Sequence, residues 1–334
     1  MSKRVIMRGM AIAATAIAVV AALTDCTNAA GDSGDGSGKS HGKIVFVGSW
    51  PSSDPYGTVV VNGFNAALKT FGYDGQYRAP EQLNFDAVDE ARLIESAIAQ
   101  KPDGIIVTDP TPDGLNASIK KVVDAGIPLV ITNSGETEVG ATGAITFVGN
   151  DERQTGVVGA QRLMDLGAKD ALVITLTPGI PLVDARNNGF TETFKGKVTL
   201  AASPPADLSD STKIKGVIEA SLIKDPKIDA VFAIGSTVIG PMLAVRSDIG
   251  DRAKSIHWSS IDLTESMAPS IKDGDVDFAI DQQPFLQGYL PVQVLALKLQ
   301  YGLDPVTNHI LTGPIIVDRK SIGQFEQFAK KGVR

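Results

Sequence analysis

Polar and aromatic side chains directly follow the apolar runs of this sequence, at spacings that could bring them to one small molecule. The candidates in these positions are Trp50, Asp54, Tyr56, Asn133, Asp262 and Gln282. Carboxylates and amides form hydrogen bonds with hydroxyl groups, and indole or phenol rings pack against C–H faces. These residue types therefore predict non-covalent recognition of a small molecule that carries hydroxyl groups.

Catalytic and metal-binding motifs are absent from the chain. There is no Gly-x-Ser-x-Gly and no His-Glu-x-x-His, and the histidines at 41, 257 and 309 are isolated. Cys26 is the only cysteine, which excludes an internal disulfide and a multi-cysteine metal site. We predict a protein that is not an enzyme and has neither a metal nor a cofactor.

Apolar runs typical of buried strands alternate with helical patterns from Lys43 to the end of the chain. Parallel sheets covered by helices on both faces account for this alternation, and the units are too many for one open sheet. The predicted fold class is α/β, with two doubly wound parallel-sheet domains. A single barrel of eight βα units is the alternative architecture.

The N-terminal residues have the pattern of an export leader. Lys3, Arg4 and Arg8 precede a short apolar run over 9–23, and a polar Gly/Ser-rich stretch follows. We predict a signal peptide over 1–25 and a tether over 26–42. The net charge of −7 argues against a nucleic-acid partner.

Cys26 directly after this leader resembles the lipid-attachment cysteine of bacterial lipoproteins, although Asp25 stands where a small residue is expected. The resemblance implies lipidation of Cys26, so that a lipid anchor is the only membrane contact. Ordinary secretion with cleavage near Asn28–Ala30 is the alternative. The predicted location is the outer face of the cytoplasmic membrane or the periplasm.

Four further stretches, taken in order, resemble the type 1 periplasmic solute-binding proteins, in the branch similar to ribose- and galactose-binding proteins. They are Lys101–Val107, Val122–Val130, Asp229–Ala233 and Asp281–Gly288. The resemblance implies two lobes joined by a three-crossing hinge, one over 43–149 plus 283–304 and the other over 150–282 plus 305–334. It also implies a monomeric receptor that delivers a small neutral carbohydrate or sugar alcohol to an ABC importer permease.

The same resemblance assigns roles to individual residues. Arg186 matches the family's arginine before Gly-Phe, Asp54 and Tyr56 match its first binding loop, and Asp262 matches a ligand position. The sequence departs from the family at Asn133-Ser134, where many relatives have Asp-Arg, and at Gly235, where an asparagine is common. The structural alternatives are helix capping for Asp54 and Asp262, a turn for Asn133, a surface ion pair for Arg186, hydrophobic cover for Trp50 and a hinge role for Gln282.

Other functions remain open at this stage. The same receptor fold could bind a signalling furanone or an amino acid. An exported glycoside hydrolase would need two carboxylates across one bond, which sequence alone cannot place. A transcriptional regulator of this fold is disfavoured by the leader and by the lack of an N-terminal DNA-binding helix pair.

Overall fold

The computed structural model describes residues 40–333 apart from 52, 84, 204–206 and 209. The predicted signal peptide over 1–25 and Cys26 lie outside the described residues. Two separate six-stranded sheets organise the described chain. This confirms the two doubly wound domains and excludes the single barrel.

The first lobe is built on a fully parallel sheet with strand order β11-β5-β4-β3-β1-β2. Its strands are β1 (Lys43–Val47), β2 (Asp74–Arg78), β3 (Gly104–Val107), β4 (Leu129–Thr132), β5 (Phe147–Asn150) and β11 (His309–Gly313). Its helices are α1 (Pro55–Phe71), α2 (Ala87–Ala99), α3 (Pro112–Asp124), α4 (Val139–Thr142) and α10 (Pro284–Tyr301).

The second lobe has the strand order β12-β10-β9-β8-β6-β7, in which only β12 is antiparallel to its neighbour. Its strands are β6 (Asp170–Thr175), β7 (Lys197–Ala202), β8 (Ala230–Ala233), β9 (His257–Ile261), β10 (Phe278–Asp281) and β12 (Ile315–Asp318). Its helices are α5 (Glu152–Leu166), α6 (Pro181–Thr193), α7 (Ser211–Lys224), α8 (Ser236–Asp248), α9 (Met267–Asp273) and α11 (Ile322–Ala329).

Residue alternation along β1 shows why both faces of the first sheet are covered. Ile44 and Phe46 pack in one hydrophobic core cluster, and Val45 and Val47 pack in another on the opposite face. Successive side chains of a strand point to opposite faces, so a continuous apolar run requires helices on both sides.

Glycine allows helices α5 and α6 to approach closely. A Cβ on Gly156 of α5 would lie 2.1 Å from the carbonyl oxygen of Arg186 on α6, and a Cβ on Gly189 would lie 2.0 Å from that of Arg153. Neither position can hold a larger residue without separating the helices. The contact holds Arg186 beside the first turn of α5.

The chain passes between the lobes three times, after β5, after β10 and after β11. The prediction that residues 305–334 belong wholly to the second lobe is wrong for β11, because His309–Gly313 pairs with Phe147–Asn150 at the edge of the first sheet. The third crossing is therefore at Gly313–Pro314 and not near Pro305. Among the described residues after 304, β12 and α11 are the elements that belong to the second lobe.

Two other boundaries differ from the sequence-based expectation. The sequence pattern predicts a strand over Lys254–Ile261, but Gly250–Ser255 forms a 3₁₀ helix and the strand begins at His257. The sequence pattern also predicts a helix over Leu263–Lys272, and this helix begins at Met267. Both changes leave the end of β9, and hence Asp262, at the predicted edge of the sheet.

Candidate ligand-binding site between the two lobes

One cavity of about 50 Å³ lies between the lobes, and all seven side chains singled out from the sequence line it. They are Trp50, Asp54, Tyr56 and Asn133 from the first lobe, and Arg186, Asp262 and Gln282 from the second. The cavity shares Asp54, Leu83, Ser236 and Thr237 with a wider cleft of about 1,050 Å³. Loops that follow parallel strands build it, as expected for doubly wound folds.

An aromatic wall closes the first-lobe side of the cavity. The rings of Trp50 and Tyr56 are 5.1 Å apart between centroids and tilted by 53°. Both side chains are buried, and the Trp50 carbonyl accepts a hydrogen bond of 2.7 Å from the Tyr77 hydroxyl. The wall is therefore fixed before any ligand arrives, and it offers flat apolar surface.

Asp54 combines a structural position with a place in the cavity lining. It is the N-cap of α1, and its Oδ1 accepts a hydrogen bond of 2.9 Å from the Gly57 backbone N–H. Burial raises the pKa of Asp54, while the Gly57 and Tyr56 backbone N–H groups oppose that rise. The helix-capping alternative is therefore confirmed, and the same carboxyl still borders the site.

Two residues that directly follow strands have a left-handed backbone conformation, which directs their side chains into the cavity lining. Asn133 after β4 has φ +64°, and Asp262 after β9 has φ +79°. Asn and Asp adopt this conformation more readily than other residues with side chains, yet it still costs about 1–3 kcal/mol and concentrates at functional sites. Both side chains are buried and line the cavity.

Asn133 donates both of its amide hydrogens to other side chains of the first lobe. Its Nδ2 is 2.9 Å from the Tyr56 hydroxyl and 3.1 Å from Gln287 Oε1. The Tyr56 hydroxyl in turn donates to Gln287 Oε1 at 2.6 Å. Asn133 therefore holds Tyr56 in place, which is more than the turn role that was its structural alternative.

Arg186 is the charged centre of the second-lobe wall. Its Nε donates to Glu152 Oε2 at 2.5 Å, its Nη1 to the Ile234 carbonyl at 2.9 Å and its Nη2 to Gln282 Oε1 at 3.0 Å. The side chain is only 4% exposed, so the ion pair is buried and the surface-bridge alternative is wrong. Burial by itself would lower the pKa of Arg186, but Glu152 and Asp262 raise it above its ordinary value.

Gln282 connects Arg186 with Asp262. Its Oε1 accepts from Arg186 and also from Asn150 Nδ2 at 3.1 Å, and its Nε2 donates to Asp262 Oδ1 at 2.6 Å. Burial raises the pKa of Asp262 to about 6, although Arg186 and Gln282 both favour the ionised form. This wall therefore presents a guanidinium, an amide and a carboxyl in a fixed arrangement.

The family comparison matches one continuous segment that reaches into both lobes. Residues 44–303 match the family model described as periplasmic binding protein domain. The chain belongs to the periplasmic binding protein family. The resemblance to its type 1 branch, inferred from short stretches of sequence, is thereby confirmed.

Several relatives of this periplasmic binding protein have named ligands. A carbohydrate transporter from Acidothermus cellulolyticus 11B, solved in complex with myo-inositol, superposes with a TM-score of 0.81 at 29% identity, covering 88% of this chain and 100% of that one. A xylose/arabinose-binding protein from Sulfolobus acidocaldarius is 26% identical over 272 residues, 77% of this chain and 66% of that protein. A D-ribose/D-allose-binding protein from Pseudomonas aeruginosa is 26% identical over 230 residues, 66% of this chain and 70% of that protein.

Family membership also bears on cellular location. Proteins of this family act as solute-binding proteins outside the cytoplasm. Within the part of the chain that the structure describes, no helix has both the length and the apolar character needed to span a bilayer.

Three residues that form hydrogen bonds with the lining side chains were not singled out from the sequence of this periplasmic binding protein. Glu152 pairs with Arg186, Asn150 holds Gln282, and Gln287 holds Tyr56. Glu152 could have been found from its position in the first helical turn after the first crossing. An amide inside the apolar pattern of α10 was a usable signal for Gln287, since buried polar groups need partners.

Aliphatic and aromatic lining was also missed. Phe85, Leu83, Leu176, Leu182 and Val183 complete the cavity wall. Leu83 and Phe85 lie outside regular helices and strands, so no periodic pattern marked them in the sequence. His257 and His309 make contacts elsewhere, with Asp277 and with the Glu136 carbonyl, and neither lines the cavity.

Proposed function

We propose that this protein is an extracytoplasmic receptor that binds a small neutral carbohydrate or sugar alcohol between its lobes and delivers it to an ABC importer. The observation that carries the proposal is the pairing of two walls across one cavity. The polar wall is Arg186, Gln282 and Asp262, and the aromatic wall is Trp50 and Tyr56.

The hydrogen-bonding capacity of the site suits hydroxyl groups. Arg186 uses three of its five N–H groups within the protein, so each Nη nitrogen has one hydrogen left for a ligand. Asp262 accepts from Gln282 through Oδ1, and its second oxygen can accept from a ligand hydroxyl. Adjacent hydroxyls both donate and accept, so they can use both kinds of group.

The charge balance favours a neutral ligand over an amino acid. An amino acid needs a cationic partner for its carboxylate, and Arg186 is the cationic side chain among the described lining residues. Glu152 at 2.5 Å already neutralises that guanidinium. The alternatives of an amino acid and of a signalling furanone therefore receive less support than a polyol.

Departures from the family bear on which polyol is bound. Asn133 takes the place of a charged pair in the first lobe, and its amide hydrogens are committed to Tyr56 and Gln287. Gly235 leaves the end of β8 without a side chain, and a Cβ there would lie 3.4 Å from Leu176. Charged contacts therefore come mainly from the second lobe, and we infer a ligand other than an ordinary ribose or galactose. The myo-inositol complex of the Acidothermus relative makes cyclitols the first class to test.

Enzymatic hydrolysis is the second candidate, and the site supports it poorly. A glycosidase needs an acid and a base or nucleophile that are free to act on one bond. Asp54 caps α1, and Glu152 is held by Arg186. We therefore infer that the protein binds its ligand without changing it.

The small volume of the cavity supports a receptor whose lobes open and close. Ligand pockets usually measure about 300–1,000 Å³, whereas this cavity measures about 50 Å³. We infer that a sugar ring enters from the adjoining cleft of about 1,050 Å³ as the lobes rotate about the three crossings. Closure on the ligand would present a surface that an importer permease can recognise.

The proposal also includes a lipid anchor at Cys26. A lipid on Cys26, followed by the tether to residue 42, would hold the receptor at the outer face of the cytoplasmic membrane. The described fold starts at Ser40, so the proposal rests on the leader pattern of the sequence alone.

A thermal-shift screen tests the proposed function. The panel is myo-inositol, D-xylose, L-arabinose, D-ribose, D-allose and the common pentitols and hexitols, with glycine and glutamate as amino-acid controls. A ligand at a thousand times its Kd adds about 4 kcal/mol to the free energy of unfolding. We expect at least one polyol to raise the melting temperature by several degrees and to be recovered unchanged. Stabilisation by amino acids alone, or release of product from a glycoside, would contradict the proposal.

A further inference from the structure

We propose that Gln287 is a positioning residue that couples the aromatic wall of the site to the hinge. The inference rests on the proposed function, because it concerns how ligand binding and lobe closure are linked. Gln287 lies on α10, its side chain is fully buried, and it is not among the residues that line the cavity.

One end of the Gln287 side chain holds two residues of the cavity wall. Its Oε1 accepts from the Tyr56 hydroxyl at 2.6 Å and from Asn133 Nδ2 at 3.1 Å. Tyr56 and Asn133 also bond to each other at 2.9 Å. Each of these three side chains forms hydrogen bonds with the other two, so the carbonyl end of Gln287 fixes the positions of the Tyr56 and Asn133 side chains.

The other end reaches two of the three crossings. Gln287 Nε2 donates to the Gln282 main-chain carbonyl at 3.3 Å and to Thr312 Oγ1 at 3.1 Å. Gln282 directly precedes the second crossing, and Thr312 lies at the end of β11, just before the third. The Gln282 carbonyl can only accept and Asn133 Nδ2 can only donate, so the nitrogen of the Gln287 amide faces the carbonyl and its oxygen faces Asn133.

Further amide contacts join the remaining crossing to the same set. Asn150 at the first crossing donates to Gln282 Oε1 at 3.1 Å. Gln283 Nε2 donates to the Thr312 carbonyl at 2.6 Å. Side-chain amides therefore link all three crossings, and Gln287 connects this set to the aromatic wall.

Coupling follows from the rigidity of the amide group. Rotation of the lobes changes main-chain torsions near Gln282 and Thr312, and thereby moves the acceptors of Gln287 Nε2. Because the amide is planar, its carbonyl end shifts with its nitrogen, and Tyr56 and Asn133 must follow or lose their bonds. A ligand that holds Tyr56 in one position therefore biases the hinge toward one arrangement.

Two Thr→Val variants test the coupling with matched chemistry. Thr312→Val removes the acceptor of Gln287 Nε2 near the third crossing and leaves every lining residue unchanged. Thr132→Val is the control, because Thr132 is also buried and its hydroxyl donates to main-chain carbonyls, those of Val148 and Gln287, among the described residues. Both variants lose one buried hydroxyl, but only the first interrupts the side-chain relay.

Calorimetry and small-angle scattering give the readouts, with the polyol that most stabilises the wild type in the screen as probe. For Thr312→Val we expect Kd to rise about three- to tenfold and the ligand-induced decrease in the radius of gyration to be smaller. For Thr132→Val we expect a similar loss of melting temperature with Kd within about twofold of the wild type. Gln287→Met should exceed Thr312→Val in both readouts, because it also releases Tyr56 and Asn133.

The outcomes separate the two proposals. If Thr312→Val and Thr132→Val show the same Kd and the same compaction, the coupling role of Gln287 is overturned while the receptor function stands. If no member of the panel binds the wild type, the receptor function fails and the coupling fails with it. Should Gln287→Met not fold, the two threonine variants decide the question by themselves.

Discussion

Removal of the Arg186 side chain should affect stability and ligand binding through different atoms, and the two effects can be separated. Arg186→Met leaves Glu152 as an unpaired carboxylate whose side chain is 4% exposed. Glu152 Oε1 makes no hydrogen bond with any described residue, so its compensation comes mainly from Arg186 through Oε2. Breaking a buried pair in this way costs about 3–5 kcal/mol of the free energy of unfolding.

A double variant distinguishes this cost from the loss of ligand contacts. Arg186→Met combined with Glu152→Met replaces the pair by apolar side chains and should bring the free energy of unfolding back to within about 2 kcal/mol of the wild type. Binding should not recover, because the ligand still lacks the two free N–H groups of Arg186. That loss corresponds to about 1.5–3 kcal/mol, or about ten- to a hundredfold in Kd.

Urea unfolding of the ligand-free proteins and calorimetry with the probe polyol measure the two quantities. Wild-type stability of the Arg186→Met single variant would refute the buried-pair reasoning. Wild-type affinity of the double variant would show that Arg186 does not contact the ligand, and would remove it from the site.

Three further predictions concern titration, the aromatic wall and the anchor. Burial raises the pKa of Glu90 to about 8, so the unfolded chain releases this proton at lower pH than the folded one. The free energy of unfolding of the ligand-free protein should then fall as the pH rises from about 4.5 to 8. In urea titrations, Glu90→Gln should be as stable as the wild type at pH 4 but more stable at pH 8. Equal pH profiles for the two proteins would contradict this prediction. Asn133→Ala should weaken polyol binding by about three- to tenfold in calorimetry, less than the Arg186 variants, because it releases Tyr56 without removing a charge. Cys26→Ala should move the protein from the membrane fraction to the soluble fraction, and a mature form with no acyl group by intact-mass analysis would contradict lipidation.

Most of the fold could be predicted from the sequence, because strands that are buried on both faces appear as continuous apolar runs. Runs such as Leu129–Thr132 are wholly buried in the structure, and the helices between them follow a 3.6-residue period. β11 was missed because it is an edge strand with an alternating burial pattern and only one partner, β5. Its membership of the first sheet depends on pairing with a distant segment, which local pattern does not encode.

The site was predictable where residue type and strand-end position coincide, as at Asp262 and Asn133. The connections behind these side chains were not predictable, because they depend on three-dimensional proximity. Gln287 stands 154 residues from Asn133, and Glu152 stands 34 residues from Arg186. Neither separation has a periodic signature, and only the close approach of α5 and α6 brings Glu152 to its partner.

A crystal structure of the protein with the polyol that stabilises it most tests the central claim directly. The account predicts the ligand between the lobes, with hydroxyl oxygens within hydrogen-bond distance of Arg186 and Asp262 and a C–H face against Trp50 or Tyr56. A ligand bound on one lobe alone, or bound in the cleft without contact to Arg186 and Asp262, would contradict it.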